Sequence, residues 1–284
     1  MGFYAPAQLV RDARSHGVEV RPVDVCESDW ECTLEPMADG EPALRLGLRL
    51  VKGLSGHGAE RLLEARRPGA FASVQDLARR ARLERCDLEA LAAAGALAPL
   101  SGNRHFAFWD VAGTERPLPL ETPAAVAARG ACSQGPQPSP LLTTPTEAEG
   151  IVADYASLGL TLGRHPLALL RGALHGAHLC GTGEIARLEH GSWVRIAGIV
   201  LMRQRPPSAN GVTFLTLEDE TGQVNVIVWE RVGEQYRRAL LDSRLLEVHG
   251  RLQREEGVAH LVARRLIDRS ALLGELLARS RDFR

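Results

Sequence analysis

The sequence predicts a multidomain α+β chain in which a helical helix-hairpin-helix region precedes a five-stranded OB-fold β-barrel, and three features predict it. Residues 193–262 fall into five short runs of strand character, interrupted once by a helical run, in the order of an oligonucleotide-binding barrel. Residues 51–66, VKGLSGHGAERLLEAR, place three glycines in a tight bend ahead of a helical pattern. Residues 113–149 are dense in Pro, Gly, Ser and Thr and read as the linker between the two.

Taken in order, residues 1–43 open with a short helix, PAQLVRDARSH, that has Pro6 at its start and Gly17 as its stop. VEVRPVDV then reads as a strand, and ESDWECTLEP as a connector to another strand or turn. Residues 44–112 are expected to be helical from Leu44 onward. Leu62 and Leu63 lie on one side of a helix that ends at Arg67-Pro68-Gly69, and Ser73 and Asp87 are the expected N-caps of the next two. After the linker, residues 150–191 resume as a helical connector. The barrel occupies residues 192–270, and residues 271–284 form a tail.

Composition excludes several classes. No apolar run is long enough to cross a bilayer and no export signal is evident, so the cytoplasm is the expected location and no membrane partner is expected. Five scattered cysteines without a CxxC pair fit reduced thiols. His175 and His178, the close histidine pair, have no Cys or carboxylate at ligand spacing, so no metal is expected there. The net charge of −1 is unevenly spread. Residues 45–104 carry 11 basic against 6 acidic side chains and residues 192–284 carry 15 against 12, so the two suspected nucleic-acid segments are the two positive ones.

The hairpin is expected to aim backbone N–H groups at a phosphate from the start of a helix, with Gly53, Gly56 and Gly58 allowing its turn geometry and Lys52 and Arg61 flanking the phosphate. Ser55 stands where the tightest binders have a second glycine; it either narrows the approach or supplies a hydroxyl. A companion unit at residues 83–104 ends in a basic exit at Arg104. The alternative for this segment is a purely structural helical hairpin. In the barrel, Leu215 and Leu217 suit the interior, which turns Phe214 outward as a stacking platform; the alternative is packing under a neighbouring domain. Arg203 and Arg205, at the end of the first strand, are expected on phosphates, whereas Trp193 and Trp229 are expected in core or edge packing. The triplet Glu218-Asp219-Glu220 precedes Thr221-Gly222 and reads as a solvated hairpin turn, not a metal-binding catalytic cluster. No catalytic residue emerges from any motif.

These segments in this order, from MGFYAPAQLVRDARSHGVEVRPVDVCESDWECTLEP through LRLGLRLVKGL, RCDLEALAAAGAL and DYASLGLTLGRHPLALLR to the barrel, resemble the C-terminal part of bacterial C-family DNA polymerases, in their error-prone, damage-associated branch. The resemblance implies nucleotidyl transfer in translesion replication and repair. It further implies Mg2+ on palm aspartates that precede the matched segments, hence no cofactor in this chain and no synthesis by it alone. The implied partners are primer-template duplex, single-stranded DNA and polymerase accessory proteins. A different class of function, a non-catalytic interaction module that docks such accessory proteins, stands beside it.

Overall fold

The computed structural model describes residues 5–37, 40–114, 143–175, 179–255 and 258–276. Two compact units divide the chain, Met1–Leu162 and Gly163–Arg284. The division falls inside the segment 150–191 that the sequence suggested as a connector.

In the first unit, helix α1 (Pro6–Ser15) leads into a small sheet of β1 (Val20–Arg21), β2 (Thr33–Glu35) and β3 (Ala43–Arg45). The central β3 pairs parallel with β1 and antiparallel with β2. Glu35 ties it together, accepting from Arg45 Nε at 2.7 Å and from Arg21 at 2.6 Å. Two expectations are corrected here. Leu44 lies in a strand, because Ala43 and Arg45 both turn into the interior with period two, and the helical pattern begins only with a 3₁₀ turn at Leu48–Leu50. Residues 1–43 are also no separate region: Val10, Val23 and Val25 share one core with Leu46, Leu48, Leu62, Leu77, Leu91 and Leu97.

Helices α2 (Gly56–Arg66), α3 (Val74–Ala81), α4 (Arg85–Ala93), α5 (Ala98–Ser101) and α6 (Arg104–Ala112) follow. Ser73 caps α3 as expected, its side chain accepting from the Asp76 amide at 3.1 Å. Asp87 caps nothing of its own helix. The N-cap of α4 is Glu84, and the Asp87 carboxylate turns inward instead. Helix α7 (Glu147–Ser157) begins inside the expected linker, because Thr146 and Glu149 form a reciprocal capping box. Residues 115–142, most of that linker, lie outside the described residues, as do His178 and the end of the tail from residue 277.

The second unit carries α8 (Pro166–His175), a 3₁₀ helix at Thr182–Arg187, and the barrel. Its strands are β4 (Trp193–Gln204), β5 (Thr213–Asp219), β6 (Gly222–Val228), β7 (Leu245–Glu255) and β8 (Val258–Asp268). Two short helices, α9 (Glu230–Gln235) and α10 (Arg237–Asp242), sit between β6 and β7. The barrel closes in the order β4-β5-β6-β8-β7, with β6 and β8 parallel and the other pairs antiparallel. Alternation explains the packing: Leu215, Leu217, Val224, Val226 and Val228 fill the interior, and the residues between them face out. Leu167 and Leu174 of α8 cover the outer side of β4 and β7 through Ala197 and Leu245.

Candidate nucleic-acid interface

The glycine bend has the geometry of an anion cradle, with one modification. Gly53 takes φ +91°, a conformation open chiefly to glycine, and so turns the chain from the 3₁₀ turn into α2. Ser55 is the N-cap of α2: its hydroxyl accepts from the Gly58 amide at 2.9 Å, so of the two readings of Ser55 the hydroxyl is put to use within the hairpin itself. The amides of Gly56 and His57, the first two of the helix, have no hydrogen-bond partner among the described residues, and both residues are exposed. Unsatisfied N–H groups at the positive end of a helix attract an oxyanion.

The modification is Asp87. Its carboxylate, 1% exposed, accepts from the Ser55 amide at 2.9 Å and from the Ser55 hydroxyl at 3.1 Å. It lies so close beneath Gly58 that a Cβ there would collide with it. The companion unit thus feeds a side-chain anion into the hairpin and takes up the Ser55 amide, while the Gly58 amide, one of those expected to be open to a phosphate, is taken up by the Ser55 hydroxyl. Arg61 stands behind, 3.9 Å from the same carboxylate, and its buried Nε has no hydrogen-bond partner among the described residues. Nothing in the sequence marks this pairing, since Asp87 also has the helix-start position that suggests a cap.

The flanking cations are placed differently from expectation. The Lys52 ammonium donates to the carbonyls of Tyr155 and Ala156, at 2.8 and 3.0 Å, at the end of α7. Arg104 is half-buried and donates to the carbonyls of Ala93, at the end of α4, and Gly150, and to the carboxylate of Asp154. Lys52 at Tyr155 and Ala156, and Arg104 at Ala93, satisfy carbonyls that a helix end leaves without partners, which also places positive charge at the negative ends of α7 and α4.

On the barrel, Phe214 stands on the outer face as expected and is 40% exposed. Register places Gln204 and Ile227 on either side of it across β4 and β6, and a second row runs Met202–Thr216–Asn225–His260. Met202, Gln204 and Asn225 are exposed, so the three-strand face combines an aromatic ring, apolar flanks and amide side chains. That mix offers stacking to any base and hydrogen bonds to its edge. Asn225 and Ile227 escaped the sequence reading, although the alternation of GQVNVIV would have put both on the face of Phe214.

Arg203 is not on this face. It donates through Nε to the Leu240 carbonyl at 2.8 Å and through Nη2 to that of Ser243, at the end of α10. Arg205 is exposed and ion-paired to Glu230 at 3.2 Å. Trp193 and Trp229, expected to be packed, are 68% and 56% exposed. The acidic triplet is not the solvated turn expected: Glu218 and Asp219 end β5 and are buried, and only Glu220 lies in the exposed turn, because Asp219 has an anchoring role. Asp219 is 3% exposed and accepts from the amide of Thr182 at 2.7 Å, the hydroxyls of Thr182 and Thr221, and the amides of Thr221 and Gly222. Arg171 of α8 bridges Asp219 and Glu220. Burial pushes the Asp219 pKa up, but the hydrogen bonds from Thr182 and Thr221 outweigh it and hold it below the ordinary aspartate value. So many donors on the Asp219 carboxylate suit it to anchoring the turn and not to holding a magnesium ion.

Comparison with known proteins agrees with this division. A family model described as helix-hairpin-helix motif matches residues 17–107, and one described as OB-fold nucleic acid binding domain matches residues 187–268. The chain is 56% identical over 283 residues to the error-prone DNA polymerase of Alkalilimnicola ehrlichii. It is 50% identical over 301 residues to that of Methylococcus capsulatus and 49% over 286 residues to that of Pseudomonas paraeruginosa. Each match covers 100% of this chain but only 27%, 28% and 27% of the relative. The chain therefore spans about a quarter of the length of the curated relatives it matches. Among solved structures, asparaginyl-tRNA synthetase from Pyrococcus horikoshii complexed with asparaginyl-adenylate is 26% identical over 32% of this chain and 22% of its own, at a TM-score of 0.28.

Proposed function

We propose that this chain, which belongs to the error-prone DNA polymerase family, is the DNA-gripping C-terminal part of such an enzyme. The hairpin unit holds the backbone of primer-template duplex through the Gly56 and His57 amides. The barrel holds single-stranded template across the face of Phe214. On this reading, magnesium-dependent nucleotidyl transfer in translesion replication and repair belongs to a palm outside the matched segments. No transfer step runs through residues of this chain, accessory proteins position it, and it works in the cytoplasm.

The observation that carries the reading is collinear identity: 56% over 283 residues spans both units in one alignment. Function in these units follows from geometry. Amides at a helix start take any phosphate and an aromatic ring takes any base, so both grips are independent of sequence. A polymerase that must accept damaged template needs grips of that kind.

The test is fluorescence anisotropy of the full chain with labelled single-stranded, duplex and primer-template DNA at rising salt. The expected result is binding to all three at low salt, falling linearly on a log–log plot as counterions are released. Absence of binding at low salt overturns the reading. Binding to a candidate accessory protein with no affinity for DNA would favour the docking role instead.

A further inference from the structure

Beside Phe214 the outer face runs into a cleft of about 250 Å³ between the β4–β5 loop and helices α9 and α10. Gln204, Thr213 and Gly211 line one wall, and Glu234, Arg237 and Leu240 line the other. Gln204 is also the cross-strand neighbour of Phe214, so the cleft continues the stacking face without a break.

We propose that this cleft seats one nucleotide of the single strand, next to the base stacked on Phe214, with its phosphate on Arg237 and the amino edge of its base on Glu234. The inference rests on the reading of the barrel face as a single-strand site; Arg203 also lines the cleft, but its guanidinium is held by the carbonyls of Leu240 and Ser243, so the phosphate falls to Arg237. Three observations carry it. First, Arg237 is exposed at the cleft and has no ion pair or hydrogen bond among the described residues, whereas Arg205, at the same cleft, is paired with Glu230. That pairing neutralises one of the two carboxylates lining the cleft and leaves Arg237 to meet the phosphate. Second, the volume is below the ~300–1,000 Å³ usual for larger ligands, which suits a single nucleotide unit. Third, Leu240 and Gly233 supply an apolar floor for a base plane, while Glu234 presents acceptors only. A carboxylate accepts from the amino group of cytosine, whereas the one donor thymine offers at its edge, N3–H, lies between two carbonyl oxygens that repel a carboxylate. The cleft therefore favours an amino-bearing base over thymine.

The experiment uses the full chain and labelled oligo(dC) and oligo(dT) of equal length, two pyrimidine ladders that differ at the base edge. Arg237→Ala should weaken single-strand binding roughly three- to tenfold and lower the log–log salt slope by about 0.7, one phosphate's worth for a single strand. Arg237→Lys should keep the slope. The unaltered chain should prefer oligo(dC) by roughly threefold or more, and Glu234→Ala should remove that ratio while raising overall affinity. An unchanged slope for Arg237→Ala, or equal affinity of the unaltered chain for both ladders, overturns the cleft assignment. Phe214→Ala runs in parallel to separate the two readings. If it weakens binding while Arg237→Ala does not, the cleft falls and the barrel face stands; if neither does, the barrel face falls with it.

Discussion

Replacing Phe214 by alanine isolates the stacking contribution of the barrel, and its size follows from the surroundings of the ring. Base–aromatic stacking contributes ~1–3 kcal/mol per base. Phe214 is flanked across the sheet by Gln204 and Ile227 and is 40% exposed, so it offers one open face and not a slot between two rings. That places the loss in the lower half of the range, about 1–1.5 kcal/mol, or roughly 5–12-fold in affinity at 1.4 kcal/mol per tenfold. The contribution is uncharged, so the salt slope should stay the same while the whole line drops. Phe214→Leu keeps apolar cover of Ile227 but removes the flat ring and should lose nearly as much. The assay is anisotropy with labelled single strand at several salt concentrations, with thermal unfolding as a check on the fold. Equal affinity for Phe214→Ala and the unaltered chain, with folding intact, would refute stacking at this ring. A change of slope would refute the uncharged role.

Three further outcomes follow from the geometry. Gly58→Ala pushes a methyl group against the buried Asp87 carboxylate, so the first unit should lose ~1–3 kcal/mol in urea unfolding and duplex affinity should fall with it. Arg104→Ala should destabilise the chain by about 2–3 kcal/mol, since Arg104 and Asp154 are each less than one-fifth exposed, and should leave the salt slope for duplex unchanged; a slope reduced by about one would return Arg104 to the phosphate contacts. The third concerns acid. Asp219 has its folded pKa held below its ordinary 3.8, so its contribution to stability is complete above that value and disappears as pH falls through the lower, folded one. Urea midpoints should therefore drop toward pH 3, and Asp219→Asn should flatten that drop while costing stability at pH 7. An equally steep acid loss in the variant would show that Asp219 is not the group responsible.

The barrel was largely legible because period two is a local signal. VTFLTLEDETGQVNVIVW alternates and turns by itself, and this alone sent Phe214 outward and Leu215 and Leu217 inward. The cations were illegible for the opposite reason. Their charge is visible in sequence, but their destinations are set by which helix end folds alongside. Lys52 meets the end of α7, Arg104 that of α4, Arg203 that of α10, and Arg254 the carbonyls of Ile185 and Leu188 at the end of the Thr182–Arg187 3₁₀ helix. A chain with 34 basic residues, 33 of them arginine, spends several of these on its own unsatisfied carbonyls, and the multiple donors of the guanidinium suit that task. Asp87 was misplaced in the same way. A carboxylate at a helix start suggests a cap, but the amide it satisfies belongs to Ser55, 32 residues earlier in sequence. The linker's end is set by a local signal, the Thr146–Glu149 capping box, which starts α7 before residue 150.

Amide hydrogen exchange of the full chain with and without primer-template DNA tests the central claim most directly, because it reads both grips in one measurement. The account expects slowed exchange at the first turn of α2, around Gly56 and His57, and along β4 to β6 around Met202, Phe214 and Asn225. It also expects the hairpin to respond to duplex alone and the barrel to single strand alone. Protection confined to other surfaces, or none at DNA concentrations that saturate binding, would contradict it.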